Sequence, residues 1–331
     1  MGKKIVIQPV SRIEGHARVT VTIDDAGKVT DTKVQVVELR GFENFCVGRP
    51  VEEMPRIVTR ICGVCPWAHH LASAKAADAV FNAVIPKTAK KLRELAYAAH
   101  FIHSHLLHFF FLAGADFLSE PETDYKLRNV MGLAKKNPEL IQRVVRVRKL
   151  AQQITEIIAG RALHPDAAVP GGFSKPLGVE ERNEIKAMAG ECLDFTRFAL
   201  DYAKEKVFAP LVPGLKEERA LETGFLGLVG TDGALNFYDG KLRLMKADGN
   251  YQEFDGSEYQ DYIGEHTADW TFMKFPYDKS AGAFSLDPDN PVGIYRTNSL
   301  ARLNVCDFIP TVFAQKELEE YRNIVGRIPQ H

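Results

Sequence analysis

Two cysteines three positions apart, Cys62 and Cys65, with Gly63 between them and His69 and His70 close behind, are the residues of this sequence best suited to chemistry. A C-x-x-C spacing lets both sulfurs converge on one atom, because the chain doubles back over the gap and the glycine relieves crowding. Thiolates favour soft or borderline metals such as zinc, nickel and iron. Two of them leave such a metal unsaturated, so a site here needs further donors from elsewhere in the fold. A zinc knuckle would require a second C-x-x-C or a histidine pair at short spacing, whereas Cys46, Cys192 and Cys306 stand singly. A thioredoxin-like redox pair would require a strand before it and a helix after it in a small α/β unit, and nothing upstream has that pattern. Two buried structural cysteines are the plain alternative. The residues favour a metal whose coordination is completed from farther away.

The wider text around the pair narrows the choice. Arg60-Ile61-Cys62-Gly63-Val64-Cys65, with His69 four residues after the second cysteine, resembles the first metal-binding motif of nickel–iron hydrogenase large subunits. Upstream, Arg12-Ile13-Glu14-Gly15-His16 resembles the R-I-E-G-H opening of that family, and Arg40-Gly41-Phe42-Glu43 its R-G-F-E segment. Downstream, Gly160-Arg161-Ala162-Leu163-His164-Pro165 with Gly171-Gly172 resembles its G-R-x-x-H-P…G-G segment. Residues 48–56, from Gly48 to Arg56, are similar to the cytoplasmic methyl-viologen-reducing subgroup of methanogens and related anaerobes, which does not use deazaflavin.

The resemblance implies heterolytic cleavage of dihydrogen at a nickel–iron centre whose iron carries cyanide and carbon monoxide. It makes Cys62 a terminal nickel ligand and Cys65 a nickel–iron bridge. His69 would donate a hydrogen bond to a cyanide nitrogen from outside the coordination sphere. Glu14 would take the proton from a cysteine sulfur, a role that partial burial suits near neutral pH. Asp116 is placed in the canopy above the metals, and Glu43 as a ligand of a structural magnesium-type ion. The implied partners are an iron–sulfur small subunit, a ferredoxin-like electron-transfer protein and a heterodisulfide reductase complex.

One departure stands out. The family's second pair, in a D-P-C-x-x-C-x-x-H segment, has no counterpart after Cys65, and without it a four-thiolate centre is incomplete. A truncated or split subunit is the preferred expectation, and His331 is only a chance echo of the family's mature terminus. A non-catalytic structural subunit of a redox complex is the alternative function, with a zinc-binding module third.

The surrounding elements must position these residues. The chain has 331 residues, 45% of them hydrophobic, enough for a large core. Its 42 basic and 43 acidic residues leave a net charge of −1, which offers no general attraction to nucleic acid or to an anionic membrane. Five scattered cysteines suit a reducing compartment rather than a disulfide framework. No signal peptide and no run of ~20 apolar residues is visible. The cytoplasmic expectation rests mainly on the subgroup resemblance.

Alternation predicts strands within residues 4–38, with a hairpin at Asp24-Asp25-Ala26-Gly27. Helical periodicity predicts a helix over 71–84, one long helix from Lys87 to Leu112, another from Glu139 to Gly160, and a fourth over 179–206. His100 and His103 are expected to point away from His105 and His108 and to serve as core or channel-lining groups. Arg143, Arg146, Arg148 and Lys149 form an expected solvated or subunit-facing stripe. A β-meander is expected over 224–251, loops over 252–299, a strand-like run before Cys306, and a last helix over about 310–325. The expectation is a predominantly helical α+β fold with N-terminal strands, a long-helix bundle and a small inserted β-meander. It is read as one body over 1–331, with strands at 1–50, a helical core at 51–206, the insertion at 224–251, and the C-terminal part of the family fold absent.

Overall fold

A computed structural model describes residues 2–120, 122–215, 220–287 and 289–330. His331 lies outside the described residues. The chain resolves into two compact units, Met1–Pro213 and Gly214–His331, and each is described by itself.

The first unit begins with three antiparallel strands, β1 (Lys3–Ile7), β2 (Ala17–Ile23) and β3 (Val29–Val36). The register pairs Ile5 with Val21 and Ile7 with Val19, and Val19 in turn with Val34, so alternation gathers these side chains on one face. The β2–β3 turn is built as its sequence demands. Asp24 Oδ1 accepts from the Ala26 and Lys28 N–H groups, and Gly27 takes a φ of 83°.

The helices follow. Two short ones, α1 (Phe42–Cys46) and α2 (Met54–Ile57), lead through a 3₁₀ turn (Val58–Ile61) to α3 (Pro66–Val80). The expected long helix is split. α4 (Lys87–Leu107) passes into a π-helical turn, His108–Ala113, before resuming as α5 (Gly114–Phe117). The wider turn buries Phe110 while leaving Phe109 and Phe111 at the rim of the core, and a Cβ at Gly114 would lie 2.5 Å from the Phe109 carbonyl oxygen. Then come α6 (Val130–Lys136), α7 (Pro138–Ala159), the two-residue strands β4 (Ala168–Val169) and β5 (Gly172–Phe173), α8 (Val179–Ala203) and α9 (Ala209–Leu215). α7 is delimited by its own residues. The Asn137 side chain accepts from the Leu140 N–H, Pro138 sits in the first turn, and Gly160 ends the helix at a φ of 73°.

Leu106, Phe110, Leu140, Val144, Val147, Cys192 and Phe195 form one buried cluster joining α4, α7 and α8. Arg143, Arg146 and Lys149 of the α7 stripe are exposed, as the charge pattern suggests, and only Arg148 is drawn partly into the fold. Arg146 pairs with Glu191 on α8, Arg143 stacks over the Phe198 ring at 4.0 Å, and Arg148 donates to His103 Nε2 at 2.9 Å. Long cationic stems lying on aromatic rings serve packing as much as charge. As the spacing predicts, His100 and His103 are buried and His105 and His108 exposed.

Arg93 ties the layers together from within. It is 0% exposed, reaches Asp78 of α3 at 2.6 Å, and donates to the Val169 and Gly172 carbonyls at 2.8 Å each.

In the second unit, β6 (Gly224–Val229), β7 (Lys241–Met245) and β8 (Tyr251–Phe254) form the expected antiparallel meander. A short helix, α10 (Tyr259–Tyr262), precedes a hairpin of β9 (Ile263–Ala268) and β10 (Thr271–Asp278), where the sequence suggested only loops. Gly264 and Pro276 blur the alternation there. The hairpin is stabilised instead by an aromatic cluster, with Phe275 and Tyr277 at 5.9 and 5.4 Å from Phe284. β11 (Tyr295–Arg296) lies parallel to β6, followed by α11 (Ser299–Val305) and α12 (Val312–Val325). Cys306 therefore follows a helix rather than a strand, in a core with Phe225, Val229, Val305 and Leu318. Among the described residues, no helix is long and apolar enough to cross a membrane.

Two outcomes are expected. Arg93→Leu strands the Asp78 carboxylate and lowers the unfolding free energy by about 3–5 kcal/mol in urea titration. Burial pushes His100 and His103 down to about 4, helped by neighbouring histidines for His100 and by Arg148 for His103. The unfolded chain therefore binds more protons than the folded one between the ordinary histidine value of about 6.5 and about 4. Stability is complete above that window and is lost as pH falls through it. The melting temperature should drop across this interval, and His103→Gln should flatten the drop.

Candidate metal centre

The cysteine loop joins the 3₁₀ turn to α3. Cys65 occupies the N-cap position of α3 and Pro66 its first turn, so the chain must turn sharply between Cys62 and the helix. The Cys65 N–H donates to Cys62 Sγ at 3.2 Å, which folds the two sulfurs toward one side. Cys62 Sγ, Cys65 Sγ and a ring nitrogen of His69, one turn into α3, all lie within 4.8 Å of one another. This is the only such group of three among the described residues. Two thiolates and an imidazole on one side of a loop are a donor set for a soft or borderline metal, and they leave coordination positions open. Cys46, Cys192 and Cys306 are outside the group.

The helix N-terminus alone would favour thiolate at Cys65. Its surroundings act the other way. Burial, then the hydrogen bond and charge of Cys62, then the charge of Glu14, push the Cys65 thiol up to about 12. Crowded thiolates and a carboxylate of this kind call for a cation between them. Burial lowers the pKa of His69, keeping its ring neutral and available as ligand or donor.

Glu14 reaches this loop from a distant stretch of chain. It lies between β1 and β2, where Arg12 and Gly15 take φ of 59° and 79°, and Cys62 Sγ donates to its Oε1 at 3.5 Å. Glu14 is exposed in this chain. Asp116 is held by Arg12, Nη1 to Oδ2 at 2.8 Å, and the same nitrogen reaches the Leu112 carbonyl at 3.5 Å. Arg12 and Glu14 thus bring the end of α4's continuation and the cysteine loop to one place. Glu43 sits in the first turn of α1, exposed and outside the Cys62–Cys65–His69 group.

Three residues that the motif reading treated only as letters carry the local architecture. Arg40 stacks over Phe42 at 5.1 Å and donates through Nη1 to the Arg60 carbonyl at 3.1 Å and through Nη2 to the Ile61 carbonyl. These carbonyls immediately precede Cys62 and are paired by the guanidinium fork. His70 is wholly buried. The Ala168 N–H donates to its Nε2 at 2.9 Å, so its Nδ1–H donates to the Pro55 carbonyl at 2.7 Å, and burial keeps the ring neutral. His164, at a φ of 51°, donates from Nδ1 to the Thr59 carbonyl at 3.0 Å. The G-R-x-x-H-P segment is therefore a brace for the turn that carries Cys62.

Comparison with known proteins shows the family. A family model described as nickel-dependent hydrogenase matches residues 40–136, and one described as HoxL-like matches residues 4–39. A relative from Methanocaldococcus jannaschii, belonging to its vhu F420-non-reducing hydrogenase, is 44% identical over 324 residues, covering 98% of this chain and 75% of the relative. Its counterpart in the vhu F420-non-reducing hydrogenase of Methanococcus voltae is 41% identical, with the same coverage. Among solved structures, an NAD+-reducing [NiFe]-hydrogenase in the H2-reduced state superimposes with a TM-score of 0.91 at 37% identity, over 98% of this chain and 71% of that one. The chain belongs to the nickel-dependent hydrogenases, within the large-subunit family that includes these F420-non-reducing enzymes.

Proposed function

We propose that this chain forms part of the active site of a hydrogenase large subunit, in which Cys62 and Cys65 hold a nickel–iron centre and Glu14 carries the proton of dihydrogen cleavage away. The observation that supports this most is the convergence of Cys62 Sγ, Cys65 Sγ and His69, with Glu14 Oε1 at 3.5 Å from Cys62 Sγ. The crowded thiol environment of Cys65 suits a bound cation, so the residues present fit the group. A four-thiolate centre draws two further sulfurs from outside these 331 residues, since the sequence contains one C-x-x-C.

When bound, the nickel–iron group, with cyanide and carbon monoxide on iron, supplies the electron-pair acceptor against which dihydrogen is split heterolytically. The chain's own residues do the rest. Cys62 Sγ holds the released proton, and its contact with Glu14 Oε1 is the route by which the proton passes to the carboxyl. Arg12 fixes Asp116 beside this route and keeps that carboxylate paired. His69 offers its neutral ring to a cyanide nitrogen. Glu43 contributes to a magnesium-type structural site. Electrons leave through an iron–sulfur small subunit, then through a ferredoxin-like protein and a heterodisulfide reductase complex, in the cytoplasm, where the methyl-viologen-reducing subgroup works.

Elemental analysis of the native complex should find nickel and iron together, and zinc alone would overturn the reading. In that complex, Glu14→Gln keeps the shape of the side chain and removes the proton acceptor. Dihydrogen–deuterium exchange should fall by about 10²–10⁴-fold at unchanged nickel content. Full exchange in this variant would end the proton role. Arg40→Ala should release the Arg60 and Ile61 carbonyls and reduce nickel occupancy. Arg40→Lys should not restore it, because an ammonium lacks the planar fork that serves two carbonyls at once.

A further inference from the structure

Beside the cysteine loop, the first unit has a small, partly open cavity of about 10 Å³ with polar and apolar walls. Val64 and Trp67 form the loop side, and His100, His103, Gln152 and Thr155 the wall given by α4 and α7. Trp67 is 1% exposed, and its indole N–H has no acceptor among the described residues. An indole nitrogen donates and never accepts, so this buried donor can be satisfied only by an oxygen or nitrogen lone pair.

The opposite wall has lone pairs to offer. The Thr155 hydroxyl donates to the Gln152 carbonyl at 2.8 Å, which uses its proton and leaves its oxygen free to accept. His103 Nε2 already accepts from Arg148 at 2.9 Å, so its remaining nitrogen carries a proton and is a donor. The cavity is thus lined by donors and acceptors that do not reach each other directly, and its volume is that of about one water molecule. An anion would not fit in this space, and an apolar gas would leave the indole donor unpaired.

We propose that this cavity is a binding site for a single structural water, which accepts from Trp67 Nε1 and donates to Thr155 Oγ1. Trp67 is the second residue of α3, two positions after Cys65 and two before His69. The water therefore tethers the start of the helix that carries the candidate ligands to α7, through a bridge that no direct side-chain contact supplies. Trp67 and Thr155 act as positioning residues. This inference does not depend on which metal the cysteines hold.

The chain has two tryptophans, so two indole N–H signals suffice for the test. In the full chain labelled with ¹⁵N-tryptophan, Trp270→Phe leaves only the Trp67 signal, and Trp67→Phe removes it and so assigns it independently. The indole proton of Trp67 should show cross-relaxation with a long-lived water. In Thr155→Val, which keeps the side-chain shape without the acceptor, this contact should be lost. A Trp67 indole signal without any water contact would overturn the proposal. A contact that persists unchanged in Thr155→Val would overturn the Trp67–water–Thr155 bridge.

Discussion

A loop that must present two sulfurs to one atom leaves its own backbone without regular hydrogen bonds, and this constraint shapes the first unit. The carbonyls of Arg60 and Ile61 are not absorbed by the preceding turn and are held by the Arg40 guanidinium. The Thr59 carbonyl is held by His164, and α2's Pro55 carbonyl by the buried His70. Backbone polar groups left unpaired would cost more than the sulfur geometry could recover, so each is given a side-chain partner from elsewhere. The cysteine loop owes its shape to those partners more than to its own conformational preference.

The helices supply rigidity at one remove. Arg93, fully buried, binds Asp78 and two carbonyls of the β4–β5 turn, and so fixes the same segment that gives His70 its Ala168 partner. Through this chain of contacts α4 is coupled to α3, although no residue of α4 belongs to the donor group. A buried ion pair of this kind adds little net stability over an apolar pair, but it tolerates only one arrangement. For a site whose donors must converge within a few ångströms, that restriction matters more than the energy.

Charge is handled with the same economy. Burial first, and then the crowding of Cys62 and Glu14 around it, raise the Cys65 thiol, and this gathering of acidic groups makes the locus receptive to a cation. The nearby histidines stay neutral: His69 and His70 through burial, His103 through burial and the charge of Arg148. Positive charge is thus kept off the imidazoles nearest to a site that itself favours a cation.

The sequence by itself determined the donor residues, the order of their motifs, the helix boundaries at Asn137 and Gly160, and the β-turn at Asp24-Gly27. These depend on residue type and local spacing, which are legible in one dimension. The periodicity also separated His100 and His103 from His105 and His108, because a helix fixes which positions share a side. Only the tertiary structure decided that Glu14 meets Cys62 and that Arg12 meets Asp116, contacts that span 48 and 104 positions. It also decided that Arg40 and His164 hold the cysteine loop, that the long helix opens into a π turn at His108–Ala113, and that the aromatic stretch after Tyr259 becomes a hairpin. The exposure of Arg143, Arg146 and Lys149 follows the charge pattern, but that pattern records position on a helix and not what packs against it, so the partly buried Arg148 and the ring beside Arg143 were not legible. Phe198, Phe111 and His103 were waiting on other helices, and only folding brings them there.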